Sequence, residues 1–143
     1  MKLITKSIAF ALILAAGVAA AQDATNPAVI ARKDLMKSNG ASVKILGDMA
    51  GGKTGFDAAV AEAARAQLAD NAANIAARFE ANEADPASKA SPDIWTNWDD
   101  FVAKADALAA AAKAVDTSTV EGIQAGMAGV GGACKACHTS YRL

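Results

Sequence analysis

Both cysteines and the only histidine of this 143-residue chain fall within five consecutive residues, Cys134-Lys135-Ala136-Cys137-His138. In Cys-x-x-Cys-His the two thiols add across the vinyl groups of a haem, and the adjacent imidazole becomes an axial ligand of the iron. On a helix, residues three and four apart share a face, so Cys134, Cys137 and His138 all reach the same side. A chain of this kind has to fold around a flat apolar macrocycle bonded to its last segment.

Other uses of the same residues fit less well. A structural zinc site wants four ligands, and the chain holds only three Cys and His side chains in all, so a carboxylate would have to complete it. A thioredoxin-like redox pair needs a βαβ setting, whereas the surrounding pattern is helical. A plain disulfide stays open as an alternative in an oxidising compartment, although within a helix it closes a very small loop and staples little.

The N-terminus bears on that compartment. Lys2 and Lys6, the apolar stretch Ile8 to Val18 and the small residues Ala19-Ala20-Ala21 read as a secretory signal cleaved between Ala21 and Gln22. Haem attachment to thiols takes place outside the cytoplasm, so signal and motif agree on a periplasmic address. The apolar stretch is short for a membrane span, and no later segment approaches about 18 consecutive apolar residues, so no stable membrane span is expected. Cleavage would leave residues 22–143 with 12 basic and 15 acidic side chains, a net charge of −3. That balance argues against nucleic acid, which demands a basic patch. A chain of this length suits one domain, and haem adds buried apolar area that many alanines and few aromatics cannot supply.

Four segments carry helical periodicity, at about 27–49, 57–82, 92–115 and 119–142, and the count predicts an all-α bundle. Asn26-Pro27 is a cap followed by proline at the first helical position, and Gly51-Gly52 ends that helix. Its apolar stripe is Val29, Met36 and Val43, widened by Leu35, Ile45 and Leu46, with Arg32 one turn before Met36. Asp57 caps the second helix, whose stripe is Val60, Ala64, Leu68, Ala72, Ile75 and Phe79. Ser91-Pro92 opens the third, which is expected to bury Ile94, Trp95, Trp98, Phe101, Val102, Leu108 and Val115, with ordinary core preferred over a haem role for both tryptophans. Ser118-x-x-Glu121 reads as a capping box for the last helix. There Val120, Ile123, Met127, Val130, Cys134, Cys137 and Tyr141 recur in steps of three and four. Gly126, Gly131 and Gly132 each weaken that helix by about 1 kcal/mol relative to alanine, a cost tolerated where another body, here a porphyrin edge, comes close.

The stretch Cys134-Lys135-Ala136-Cys137-His138-Thr139-Ser140-Tyr141-Arg142 resembles the end of class II c-type cytochromes, the group of cytochrome c′ and cytochromes c-556 and c-554. Position is distinctive, since most other c-type cytochromes carry the motif near the N-terminus. The resemblance extends to Ala31-Arg32-Lys33-Asp34-Leu35-Met36-Lys37-Ser38-Asn39-Gly40 and to Asp93-Ile94-Trp95-Thr96-Asn97-Trp98-Asp99-Asp100-Phe101. It implies an antiparallel up-and-down four-helix bundle with one haem c bonded to Cys134 and Cys137 on the C-terminal helix. It further implies His138 as proximal ligand, Arg32 near a propionate and Arg142 beside the proximal histidine. The alternative for both arginines is a solvated helix-face charge.

Position 36 matches the first-helix residue on the far side of the haem. If the Met36 thioether binds iron, the protein is a six-coordinate one-electron carrier between periplasmic redox proteins, like cytochrome c-556. If Met36 only packs, the iron is five-coordinate and binds NO or CO, as in cytochrome c′. The first reading is preferred. No second histidine is available as a distal acid/base, and the carboxylates are scattered, so no enzyme is expected. The resemblance also leaves room for a homodimer through the first two helices.

Overall fold

The computed structural model describes residues 23–143, all of them outside regular strands, and the signal segment ending at Ala21 lies outside the described residues. Six helical segments follow one another: α1 (Pro27–Ala50), α2 (Ala58–Ala73), α3 (Ile75–Phe79), α4 (Asp93–Thr96), α5 (Trp98–Lys113) and α6 (Val120–Tyr141). The four long ones close a ring, with α1 against α2, α2 against α5, α5 against α6 and α6 against α1. The α1–α2 and α5–α6 connections are short, the α2–α5 connection runs through α3 and α4, and the ring of sequential neighbours makes this an up-and-down four-helix bundle.

Local chemistry accounts for the helix starts. Asn26 Oδ1 accepts from the N–H groups of Ala28 and Val29 at 2.9 and 3.2 Å, with Pro27 at the first helical position. Asp57 Oδ1 does the same for Ala59 and Val60 at 2.9 and 3.0 Å. At α6 the cap is Thr119, whose Oγ1 accepts from Gly122 N–H at 3.0 Å, rather than the expected Ser118. Ser118 is occupied by the turn before it, with both its N–H and its hydroxyl donating to Asp116 Oδ1.

Two helices expected to be continuous are broken at asparagines. The 57–82 segment divides at Asn74, where the side-chain Nδ2 donates to Asp70 O at 2.8 Å and the backbone N–H turns to Asn71 O. The amide thus competes for the carbonyl that the helical ladder would use. The 92–115 segment divides at Asn97 (φ −122°, ψ 46°), whose Nδ2 bonds Asp93 O and Thr96 Oγ1, both at 3.3 Å.

The core is built from small residues at one end and large ones at the other. Ala61, Ala64, Ala69 and Ala72 of α2 face Ala105, Ala109 and Ala112 of α5 within one buried cluster, so these two helices approach closely. Val60, expected on the stripe of α2, is 45% exposed, because the buried face runs through Ala61 and Ala64 instead. Ile45 on α1 is likewise exposed. Gly126 is explained by the bundle itself, since a Cβ there would stand 2.9 Å from Val115 Cα, so the approaching body is the chain just past α5 and not a porphyrin. At Gly131 and Gly132 a Cβ would meet nothing within 4 Å.

Candidate haem site

The start of α1, the end of α3, the start of α5 and the end of α6 meet at the same end of the bundle, and the aromatic residues gather there. Phe101 stands 5.2 Å from Phe79, 5.6 Å from Trp98 and 5.4 Å from Tyr141, the last edge-to-face at 88°. Tyr141 also ties α6 to α5 by donating its hydroxyl to Asp100 Oδ2 at 2.5 Å, while Asp100 accepts from Lys104 at 3.0 Å. After α6 the backbone bridges to the connection before α4, Ser91 N–H donating to Tyr141 O and Leu143 N–H to Lys89 O, both at 2.9 Å. The last two turns of α6 are therefore held from two sides.

Those turns carry Cys134, Cys137 and His138. Both cysteines are free and half-buried, packed on the hydrophobic core, and burial pushes both thiols above their ordinary range. Asp100 and Lys104 of α5 lie close enough to Cys137 to act on its charge. His138 is exposed on the α6 surface. Partial desolvation, then the Arg142 charge, holds its imidazole below the usual value, which favours the neutral form that binds metals. Arg142 itself is exposed, on extended backbone just past the helix.

On α1, Leu35 and Met36 are half-buried against the same core that carries the cysteines, and so is Trp98 of α5. Large apolar side chains left half-covered on the core that also carries the thiol pair are what a flat apolar cofactor would finish burying. The Asn39 Nδ2 donates to Met36 Sδ at 4.0 Å, and Asn39 Oδ1 is buried without a partner. Asn39 entered the sequence reading only inside the first-helix stretch that carries the resemblance, because an asparagine on an otherwise amphipathic helix does not reveal its partner.

Arg32 is neither solvated nor free. Only 3% exposed, it donates from Nε to Arg78 O at 3.1 Å, from Nη1 to Glu83 O at 3.0 Å and from Nη2 to Ala81 O. Its guanidinium also lies over the rings of Phe79 and Trp95, at 5.1 and 5.3 Å from their centroids. Trp95 completes this unit by donating Nε1–H to Phe79 O at 2.8 Å. The solvated charge weighed as the alternative for Arg32 therefore does not hold, and the side chain clamps the end of α3 and the following turn onto α1. No sequence spacing foretold this, because its acceptors are main-chain carbonyls some fifty residues on.

A family model described as Cytochrome C′ matches residues 27–142. The chain belongs to the cytochrome c′ family. Cytochrome c-556 of Agrobacterium fabrum (strain C58 / ATCC 33970) is 34% identical to it over 146 residues, covering 100% of this chain and 96% of the relative. The solved cytochrome c′ from Rhodopseudomonas palustris superposes with a TM-score of 0.75 at 30% identity, over 83% of this chain and 98% of that one. A nitric oxide complex of a mutant cytochrome c prime from Alcaligenes xylosoxidans superposes with a TM-score of 0.71 at 26% identity, over 80% and 92% of the two chains. This cytochrome is accordingly a monohaem c-type protein, with haem c attached through Cys134 and Cys137 of α6. The donor set fits: two free thiols one helical turn apart, an imidazole next in sequence, and half-covered apolar side chains packed on the same core.

Proposed function

We propose that the protein is a periplasmic one-electron carrier in which His138 and Met36 are the two axial ligands of the haem iron. The observation that carries this reading is Met36 itself. It is a half-buried thioether on α1, packed against the same core as Cys134 and Cys137 of α6. Haem c, when bound, supplies an iron couple that gains and loses one electron. The chain's residues do the rest. Cys134 and Cys137 fix one edge of the cofactor to a helix that Tyr141 and the bridge at Ser91 hold still. Partial desolvation and the Arg142 charge bias His138 towards the neutral form that binds metals. Met36 offers a soft sulfur, which favours the reduced metal, and two strong ligands keep rearrangement small during transfer. Leu35 and Trp98, half-buried on the same core, would help keep water from the bound haem. Arg32 acts by holding α3 and Phe79 against α1, and so sets the wall of the site.

An optical spectrum of the ferric protein tests this directly. A low-spin spectrum with a sulfur-to-iron charge-transfer band is expected. A high-spin spectrum without that band refutes Met36 ligation. It would favour the second reading, a five-coordinate haem that binds NO or CO, which the nitric oxide complex of the Alcaligenes relative supports. Redox partners recognised through the haem end and a homodimer through α1 and α2 belong to the same proposal, and light scattering on the holoprotein reads the dimer.

A further inference from the structure

Asn39 holds the only buried side-chain polar atom among the described residues that finds no hydrogen-bond partner. The residue is 7% exposed, and its Oδ1 is sealed from solvent with no donor in reach. Its other end faces Met36, with Nδ2 donating to the thioether Sδ at 4.0 Å. The two stand three residues apart on α1, so one turn of helix presents them together.

Such an arrangement is costly without a use, because an orphaned buried acceptor forfeits its hydration and gets nothing back. Inverting the amide would set its oxygen against the sulfur lone pairs, a repulsion that the observed orientation avoids. Nor is Asn39 needed by its polar neighbours at the α1–α2 contact. There Asn71 Nδ2 donates to Ser38 Oγ at 2.8 Å, and Gln67 Nε2 donates to Asn71 Oδ1 at 2.9 Å. The sulfur is the amide's sole partner.

We infer that Asn39 is a positioning residue for Met36, its N–H donor restraining the thioether on the side of α1 that faces the haem. Methionine is unbranched, with three rotatable bonds, and left to itself spreads over many rotamers. A donor on the sulfur narrows that spread before the thioether meets the cofactor, and preorganisation of this kind strengthens the contact that follows. The inference rests on Met36 facing the haem, and it holds for a ligating or a packing thioether, since either occupies the place an added ligand would take.

The test is a cycle of holoprotein variants, Asn39→Leu, Met36→Leu and the pair together, read by optical titration of the ferrous protein with CO. Asn39→Leu is expected to raise CO affinity about tenfold, equivalent to about 1.4 kcal/mol, because a looser thioether competes less well. In the Met36→Leu background the same change is expected to move CO affinity by less than about twofold, which is the signature of coupling. Equal effects in the two backgrounds overturn the inference. Urea unfolding of Asn39→Leu should show an unchanged or raised midpoint, which a merely structural amide would not. If leucine fails to pack, Asn39→Ala carries the same CO prediction in both backgrounds. Failure of the ligation reading is seen separately, in the ferric spectrum of the unaltered protein, and leaves the coupling to decide the role of Asn39.

Discussion

Replacing Arg32 with alanine separates the clamp that the structure shows from the propionate contact that the family resemblance implies. Three charge-assisted hydrogen bonds are lost, to the carbonyls of Arg78, Ala81 and Glu83, together with contacts over two aromatic rings. A hydrogen bond to a charged group is worth about 1.5–3 kcal/mol, but these acceptors sit in exposed residues that water can reach, so about 1 kcal/mol each is the better figure. The two ring contacts add about 0.5 kcal/mol apiece. Burial of the guanidinium works the other way, as the lowered Arg32 pKa shows, and removing the side chain relieves that cost. The net expectation is a loss of about 3 kcal/mol, or a fall of about 1.5 M in the urea midpoint if the denaturant slope is near 2 kcal/mol per M. Arg32→Lys keeps the charge but cannot fork to three carbonyls, so it should lose about two-thirds as much. The assay is urea unfolding of the holoprotein followed by far-ultraviolet circular dichroism, with the haem midpoint potential measured on the same samples. A loss under about 1 kcal/mol accompanied by a shifted potential would refute the clamp and restore the propionate contact.

Tyr141 is the only tyrosine, so a spectrophotometric titration reads it alone: its hydrogen bond to Asp100 should hold phenol ionisation to about 12, and Asp100→Asn should return it towards 10.0. Asp85 accepts from the N–H groups of Thr25, Asn26 and Ala87, which lowers its pKa to about 2 from the ordinary 3.8. A depressed carboxyl stabilises the fold above its unfolded value and loses that effect as pH falls through its folded value. The urea midpoint of Asp85→Asn should therefore fall short of the parent at pH 7 and converge with it near pH 2. Equal deficits at both pH values would remove Asp85 from the account. Gly126→Ala puts a methyl 2.9 Å from Val115 Cα and should destabilise by about 1–2 kcal/mol despite the better helix propensity. Gly40→Ala, where nothing lies within 4 Å, should instead gain about 0.5–1 kcal/mol, and thermal unfolding of both variants checks the contrast.

The chemistry of the cofactor was legible in five residues, because covalent attachment needs particular atoms at a particular spacing, and zinc or a disulfide at Cys134, Cys137 and His138 fitted less well. The helical class and the caps at Asn26 and Asp57 were legible too, since periodicity and capping are local. What escaped was everything made between elements. Asn74 and Asn97 break helices through side-chain hydrogen bonds to carbonyls of the ladder, a competition that hydrophobic periodicity does not register. Val60 fits a stripe on paper, yet the rotation of α2 against α5 is set by which alanines let the backbones approach.

Sequence alone determined that this chain is a haem-bearing helical bundle, because bond-forming residues and helical periods are written in neighbouring positions. Only the tertiary structure decided that Arg32 is a clamp on main-chain carbonyls, that Asp100 anchors Tyr141, and that the amide of Asn39 is spent on a sulfur. Each of those depends on groups brought together from distant parts of the chain, and a hydrogen bond is decided by ångströms in space, which no spacing along a polypeptide records.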